Sequence, residues 1–142
     1  MKKISFSALI LSALFFTPSC KTSQKAETLS SSELNGKWTI QSVNNQEIKI
    51  ERTPFMDFME ENRLNAQVGC NIYNSTYTYD ATTGDLTFPA NGQMTMMACP
   101  DMATEDAIVK AIAATKKVEK AESGKCINLL GADGNVLMTL CK

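Results

Sequence analysis

Histidine is missing from this chain of 142 residues. That absence excludes a Ser-His-Asp triad, His-based general acid–base catalysis and any His-ligated zinc. Charge is sparse and balanced, with 14 basic and 15 acidic residues, so nucleic acid meets no basic stripe. The cysteines include no Cys-x-x-Cys pair, the motif that tunes a thiol for redox exchange. Glu60-Glu61, Glu105-Asp106, and Asp80 with Asp85 fall at turns or on a helix face. They are read as solvated, because nothing sets them at an acid–base spacing. Long apolar runs are also lacking. The longest, Ile4 to Phe16, is broken by Ser5, Ser7 and Ser12 and falls short of the about 20 residues that span a bilayer.

What is present begins with an export pattern. Lys2 and Lys3 precede the apolar run, and Thr17-Pro18-Ser19 leads to Cys20, the layout of a cleaved signal peptide over residues 1–19. A small residue just before a cysteine resembles the lipobox of bacterial lipoproteins, with Thr17 where leucine is usual. Cys20 is therefore expected to carry lipid and to anchor the chain to a membrane. Ordinary secretion would instead leave it a free thiol. Cleavage removes two lysines and no acid, leaving three more acids than bases. Residues 20–33, rich in Ser, Thr, Lys and Gln, are expected to form a flexible tether. Lys21-Thr22-Ser23-Gln24 lacks an acidic run, which favours the periplasmic face of the outer membrane over the cell surface. Residues 34–142 suit one domain, expected to be monomeric.

That domain reads as mainly β with one α-helix. Lys37 to Val43 alternates, with Trp38, Ile40 and Ser42 on one face. Asn44-Asn45 turns the chain into Glu47–Ile50, and further strands are expected at Phe55–Met59, Leu64–Val68, Asn71–Tyr79, Asp85–Phe88 and Gln93–Ala98. Between 100 and 117 the period changes: Ile108, Ala111, Ile112 and Thr115 share a helical face, with Glu105, Asp106 and Lys110 elsewhere. Asp101 or Thr104 can cap that helix. Lys117–Ala121 and a final hairpin complete the chain.

The final hairpin allows a register to be derived. Asp133-Gly134 favours a two-residue type I′ loop, which would set Ala132 opposite Asn135. Leu129 then faces Met138, Ile127 faces Leu140, and Cys126 faces Cys141, with Val136 on the same apolar face. Opposed residues have Cα atoms about 4.5–5.5 Å apart, within reach of a disulfide.

Leu34-x-Gly36-x-Trp38, Gly69-Cys70-Asn71, Tyr77, Leu86-Thr87-Phe88, Thr95-x-Met97-Ala98-Cys99-Pro100 and the closing hairpin occur in this order. Together they resemble the META-domain family, which includes HslJ-like bacterial proteins, many of them lipoproteins. Ala66 and Ser75 stand where that family often has glycine, a departure that bears on local turn or bulge geometry. The resemblance implies a small, partly open antiparallel β-barrel carrying one helix. It also implies that Cys70 lies near Cys99, and export would then join them as a disulfide. No reaction comes with the family, whose members are linked loosely to heat-shock response, motility and drug tolerance.

The functional expectation is a non-enzymatic envelope protein without a cofactor, acting on an unidentified envelope protein or small ligand. Trp38, Tyr73, Tyr77 and Tyr79 could face a ligand, or pack across strands as aromatic rows commonly do. Met94, Met96, Met97 and Met102 surround Cys99, and such soft donors suit Cu(I). Against that, a buried strand uses methionine as adaptable filler, and adjacent strand residues such as Met96 and Met97 face opposite ways.

Overall fold

The computed structural model describes residues 26–142. A one-turn helix, α1 (Ser31–Leu34), leads into β1 (Gly36–Val43), β2 (Gln46–Glu47) and β3 (Phe55–Met59). After a short 3-10 turn come β4 (Arg63–Gln67), β5 (Ile72–Thr76), β6 (Thr78–Asp80), β7 (Asp85–Thr87) and β8 (Gln93–Met94). The longer helix, α2 (Met102–Ala114), is followed by β9 (Lys117–Lys120), β10 (Cys126–Leu130) and β11 (Val136–Cys141). No helix among the described residues is long and apolar enough to cross a membrane.

All the strands join one antiparallel sheet in the order β6-β7-β9-β10-β11-β1-β3-β4-β5-β8, with β2 against β1. One continuous segment supplies both β5 near one edge and β6 at the other, separated only by Tyr77. The sheet therefore curls back on itself as a partly open barrel, and the expected strand Asn71–Tyr79 is two strands. At the bend the Tyr77 amide bonds the Asn62 carbonyl, and Phe58 meets the Tyr77 ring edge-on with centroids 5.2 Å apart. Edge-to-face aromatic packing adds to plain burial here.

Side chains fill the interior. Met56, Phe58, Leu64, Ala66, Leu86, Val118, Ile127, Leu129, Met138 and Leu140 alternate inward along their strands and are buried, as period-two patterning requires. The α2 face of Ile108, Ala111 and Ile112 is buried too, with the helix packed on β1 and β11. Pairing runs through Ala66↔Tyr73 and Leu64↔Ser75 without a bulge, so the two non-glycine residues sit in regular ladder.

Four local expectations are corrected. In β1 a bulge between Ile40 and Ser42 resets the parity, so Val43 rather than Ser42 joins Trp38 and Ile40 inside. The strand after Asn44-Asn45 stops at Glu47. Its turn holds both asparagines at positive φ, 49° and 61°, as a type I′ turn requires. In the last hairpin Gly131 pairs with Asn135 by hydrogen bond, and only Gly134 of the loop has positive φ. The loop thus holds three residues, the register is off by one at Leu130↔Val136, and an irregularity before Leu129↔Met138 restores it. Val136 is consequently half-buried. The pairs Ile127↔Leu140 and Cys126↔Cys141 form as derived.

The fourth correction concerns the tether, whose second half is docked. Lys120 donates its backbone amide to the Glu27 carbonyl, Tyr79 hydroxyl donates to the Leu29 carbonyl, and Leu29 and Leu34 are buried. Ser30 and Glu33 form a reciprocal capping box on α1. Hydrogen bonds from the Ser30 backbone and side chain, then from Lys120, lower the Glu33 pKa from 4.5 to about 2. A depressed carboxyl pKa stabilises the fold above the unfolded value and loses that contribution as pH falls towards the folded one. The docking of α1 is therefore expected to weaken between about pH 4.5 and 2. Trp38 Nε1 donates to the Leu34 carbonyl at 2.7 Å, so its indole NMR signal should move in that window. The movement should vanish in Glu33→Gln, and an indole signal that stays flat in the unaltered chain would refute the coupling.

Candidate functional site

The short motifs around Cys70 and Cys99 converge on one buried carboxyl group. Glu105, in the first turn of α2, is 2% exposed, which corrects its reading as a solvated acid. One oxygen accepts from the backbone amides of Cys70 at 2.7 Å and Asn71 at 3.2 Å, and the other from Asn71 Nδ2 at 2.7 Å. Asn71 Oδ1 in turn accepts from the Thr95 hydroxyl and the Met97 amide, both at 2.8 Å, while Nδ2 also donates to the Met97 carbonyl. Buried polar groups persist only when partnered, and no buried side-chain polar atom among the described residues lacks a partner. Gly69 leaves the room: a Cβ there would lie 2.5 Å from the Glu105 carboxyl oxygen. Gly69-Cys70-Asn71 is thus a socket for α2 and for the segment after β8.

The same contacts end β8 early. Thr95 and Met97 give their backbone amides to the Ile72 carbonyl and the Asn71 side chain, so the strand expected to reach Ala98 stops at Met94. Met96, Met97 and Ala98 are exposed rather than buried. Together, Met94, Met96, Met97 and Met102 line a cleft of about 190 Å³ with Asn71, Glu105 and Asp106.

Both disulfides are present. Cys70 joins Cys99 with Cα atoms 6.2 Å apart, and Cys126 joins Cys141 at 4.1 Å. Cys70, Cys99 and Glu105 lie close enough to share a metal ion. As a disulfide, however, the sulfurs offer no thiolate, and the carboxyl oxygens are already bonded. Cys20 and its expected lipid lie outside the described residues.

The four candidate aromatics do not form one wall. Trp38 lines a surface cleft of about 440 Å³ with Leu29, Ile127, Cys126, Glu33 and the lysines Lys120, Lys125 and Lys142. Lys142 Nζ sits 4.3 Å over its ring and donates to the Glu33 and Asn35 carbonyls. Lys120 pairs with Glu27 and Glu33 at 2.7 and 3.0 Å, and these hydrogen bonds, Glu27 first, raise its pKa. Tyr77 and Tyr79 border a separate, smaller hollow of about 120 Å³, and burial raises the pKa of each. Tyr73 is buried beneath Gly92, where a Cβ would collide with the Tyr73 hydroxyl and ring.

Sequence reasoning missed Glu105 and the lysine-rimmed cleft. The signal for Glu105 was its place three residues before Ile108, on the buried helical face. The cleft had no such signal, since Trp38, Lys120 and Lys142 meet only through the fold.

No curated protein matches the sequence. Three solved structures share the fold. An NMR structure of a protein from Burkholderia xenovorans is 14% identical, with a TM-score of 0.60, covering 99% of this chain and 97% of that one. A second NMR structure is 17% identical, with a TM-score of 0.59 and coverage of 80% and 95%. The crystal structure of a DUF4847-family protein from Bacteroides vulgatus is 11% identical, with a TM-score of 0.53 and coverage of 75% and 92%. At such identities the likeness concerns architecture alone. The META domain model matches residues 28–142, taking in the docked N-terminal segment, the Gly69-Cys70-Asn71 socket and both disulfides: the chain belongs to the META-domain family.

Proposed function

We propose that this META-domain protein is an exported, lipid-anchored component of a bacterial envelope that binds another envelope component and catalyses no reaction. The observation that carries the reading is the cysteine pattern. Four cysteines of the domain are paired as disulfides, a chemistry of oxidising compartments. The fifth, Cys20, ends a signal-like segment. Anchoring at Cys20 would hold the domain close to the membrane, since docking begins at Glu27 and seven extended residues reach about 25 Å at most. The periplasmic face of the outer membrane suits the lack of an acidic run in Lys21-Thr22-Ser23-Gln24. A barrel filled by side chains, with its acids solvated or structurally bonded, supports binding over catalysis.

A second reading is favoured by the cleft beside Trp38. Its volume of about 440 Å³ lies within the range of small-molecule sites, and its apolar floor beside Trp38, with the Lys120–Glu33 ion pair and Lys125 at the rim, suits a small, mostly apolar ligand.

Cell fractionation tests the anchored form. The unaltered chain should partition with membranes and carry a diacylglyceryl mass on its N-terminal peptide. Cys20→Ala should release it or leave it as uncleaved precursor. Unaltered protein found wholly in the soluble fraction, with an unmodified Cys20, would refute the anchor. Cross-linking in cells through the anchored form then separates a protein partner from a small ligand.

A further inference from the structure

We propose that the cleft formed by Met94, Met96, Met97 and Met102 binds a soft monovalent metal cation, Cu(I), through thioether sulfur alone. On a strand, Met96 and Met97 would face opposite ways, and they could not serve one site. The ladder ends at Met94, and beyond it both residues line the same cleft with Met94 and Met102. Thioethers are soft donors that select Cu(I) over harder divalent ions.

Three further observations point to a site rather than to filler. First, the exposed large apolar side chains among the described residues are all methionines: Met59, Met96, Met97 and Met102, with Met96 84% exposed. Every Leu, Ile, Phe and Trp among the described residues is buried or half-buried, and the sulfur-bearing residue is left out, three times at this one cleft. Burial of apolar area does not explain Met96, which leaves most of its side chain in water. Second, the backbone carrying Met96 and Met97 is held in place although it belongs to no ladder. Asn71 grips both the amide and the carbonyl of Met97, Thr95 exchanges hydrogen bonds with Ile72, and Cys99 is tied covalently to Cys70. Rigid support of this kind is what a ligand set needs. Third, Glu105 and Asp106 stand in the cleft wall, and acidic groups draw in a cation. The Glu105 oxygens are taken by Cys70 and Asn71, so sulfur remains to bind.

The donor set has a signature. Thiolate and imidazole must shed a proton to bind metal, which makes their affinity fall with pH. Thioethers carry no such proton, so Cu(I) binding here should be flat between pH 7 and 5.

The test is an anaerobic titration of the full chain, disulfides intact, with Cu(I) in competition with a chromophoric Cu(I) chelator. The protein should withdraw one equivalent, equally at both pH values. Met96→Leu with Met97→Leu, which keeps side-chain volume, should weaken uptake at least tenfold while leaving the thermal midpoint unchanged. A chelator that keeps all its copper would overturn the proposal. So would a double variant that binds as tightly as the unaltered chain, or uptake that appears only once Cys70–Cys99 is reduced.

Discussion

Replacing Glu105 with alanine should destabilise the domain by about 3–5 kcal/mol, read as a lower urea midpoint at unchanged m-value. The side chain accepts from two backbone amides, Cys70 and Asn71, and from Asn71 Nδ2. A buried donor left without a partner costs about 1–3 kcal/mol. Asn71 cannot rotate to compensate, because its Oδ1 already holds Thr95 and Met97. Some relief comes from water, which can enter the space left behind if it finds polar partners, and this sets the lower end of the range. Glu105→Gln should cost less, about 1–2 kcal/mol. Its oxygen can still serve the two amides, and only the contact to Asn71 Nδ2 turns donor against donor. Against a total of roughly 5–15 kcal/mol for a domain, the alanine variant should be near the limit of folding and the glutamine variant well inside it. Equal midpoints for the two would show that the bonds a glutamine oxygen keeps to the Cys70 and Asn71 amides do not stabilise the domain, and would refute this account.

Alternation and turn chemistry made most of the sheet legible. Phe55–Met59, the β6–β7 hairpin and the Cys126–Cys141 pairing follow from period-two burial and from Asn or Gly at positive φ. The hairpin register survived although its loop did not, because one irregularity near Leu130 cancels the extra loop residue. Burial of Leu129, Met138 and Leu140 outweighs the turn preference, since a one-residue slip would turn that face to water. What the sequence hid was non-local. Nothing local separates Thr76 from Thr78, yet the strand breaks there, where Tyr77 packs on Phe58 and Phe88 from across the sheet. Glu105 reads as a favourable first-turn acid, and its burial depends on Gly69 and Asn71 more than thirty residues earlier. Met96 and Met97 read as buried strand, whereas Asn71 takes the backbone amide and carbonyl of Met97.

The paired substitution Cys70→Ala with Cys99→Ala should cost about 3–4 kcal/mol, slightly more than the loss of Cys126–Cys141. Chain entropy alone makes the two comparable: the bridges span 29 and 15 positions, worth about 3.6 and 3.0 kcal/mol in that account. The native contexts differ more. Cys126 and Cys141 face each other in a ladder that β1 continues on the far side, so their strands stay aligned when the bond is cut. Cys99 follows a segment with no ladder, fixed at its other end only by Asn71 and Ile72. Cutting its bond should therefore raise hydrogen exchange across residues 95–101 and loosen the methionine cleft, while cutting the other should leave that segment protected. The socket predicts a coupling as well. Once Glu105 is gone, Cys70 and Asn71 are already poorly held, and removing the disulfide should cost less than it does in the unaltered chain. The double-mutant cycle should show that shortfall at about 1–2 kcal/mol, the size typical of groups sharing one network. Strict additivity, with unchanged exchange at 95–101, would mean that the bridge and the carboxyl group act separately and that the motif pair is no single unit.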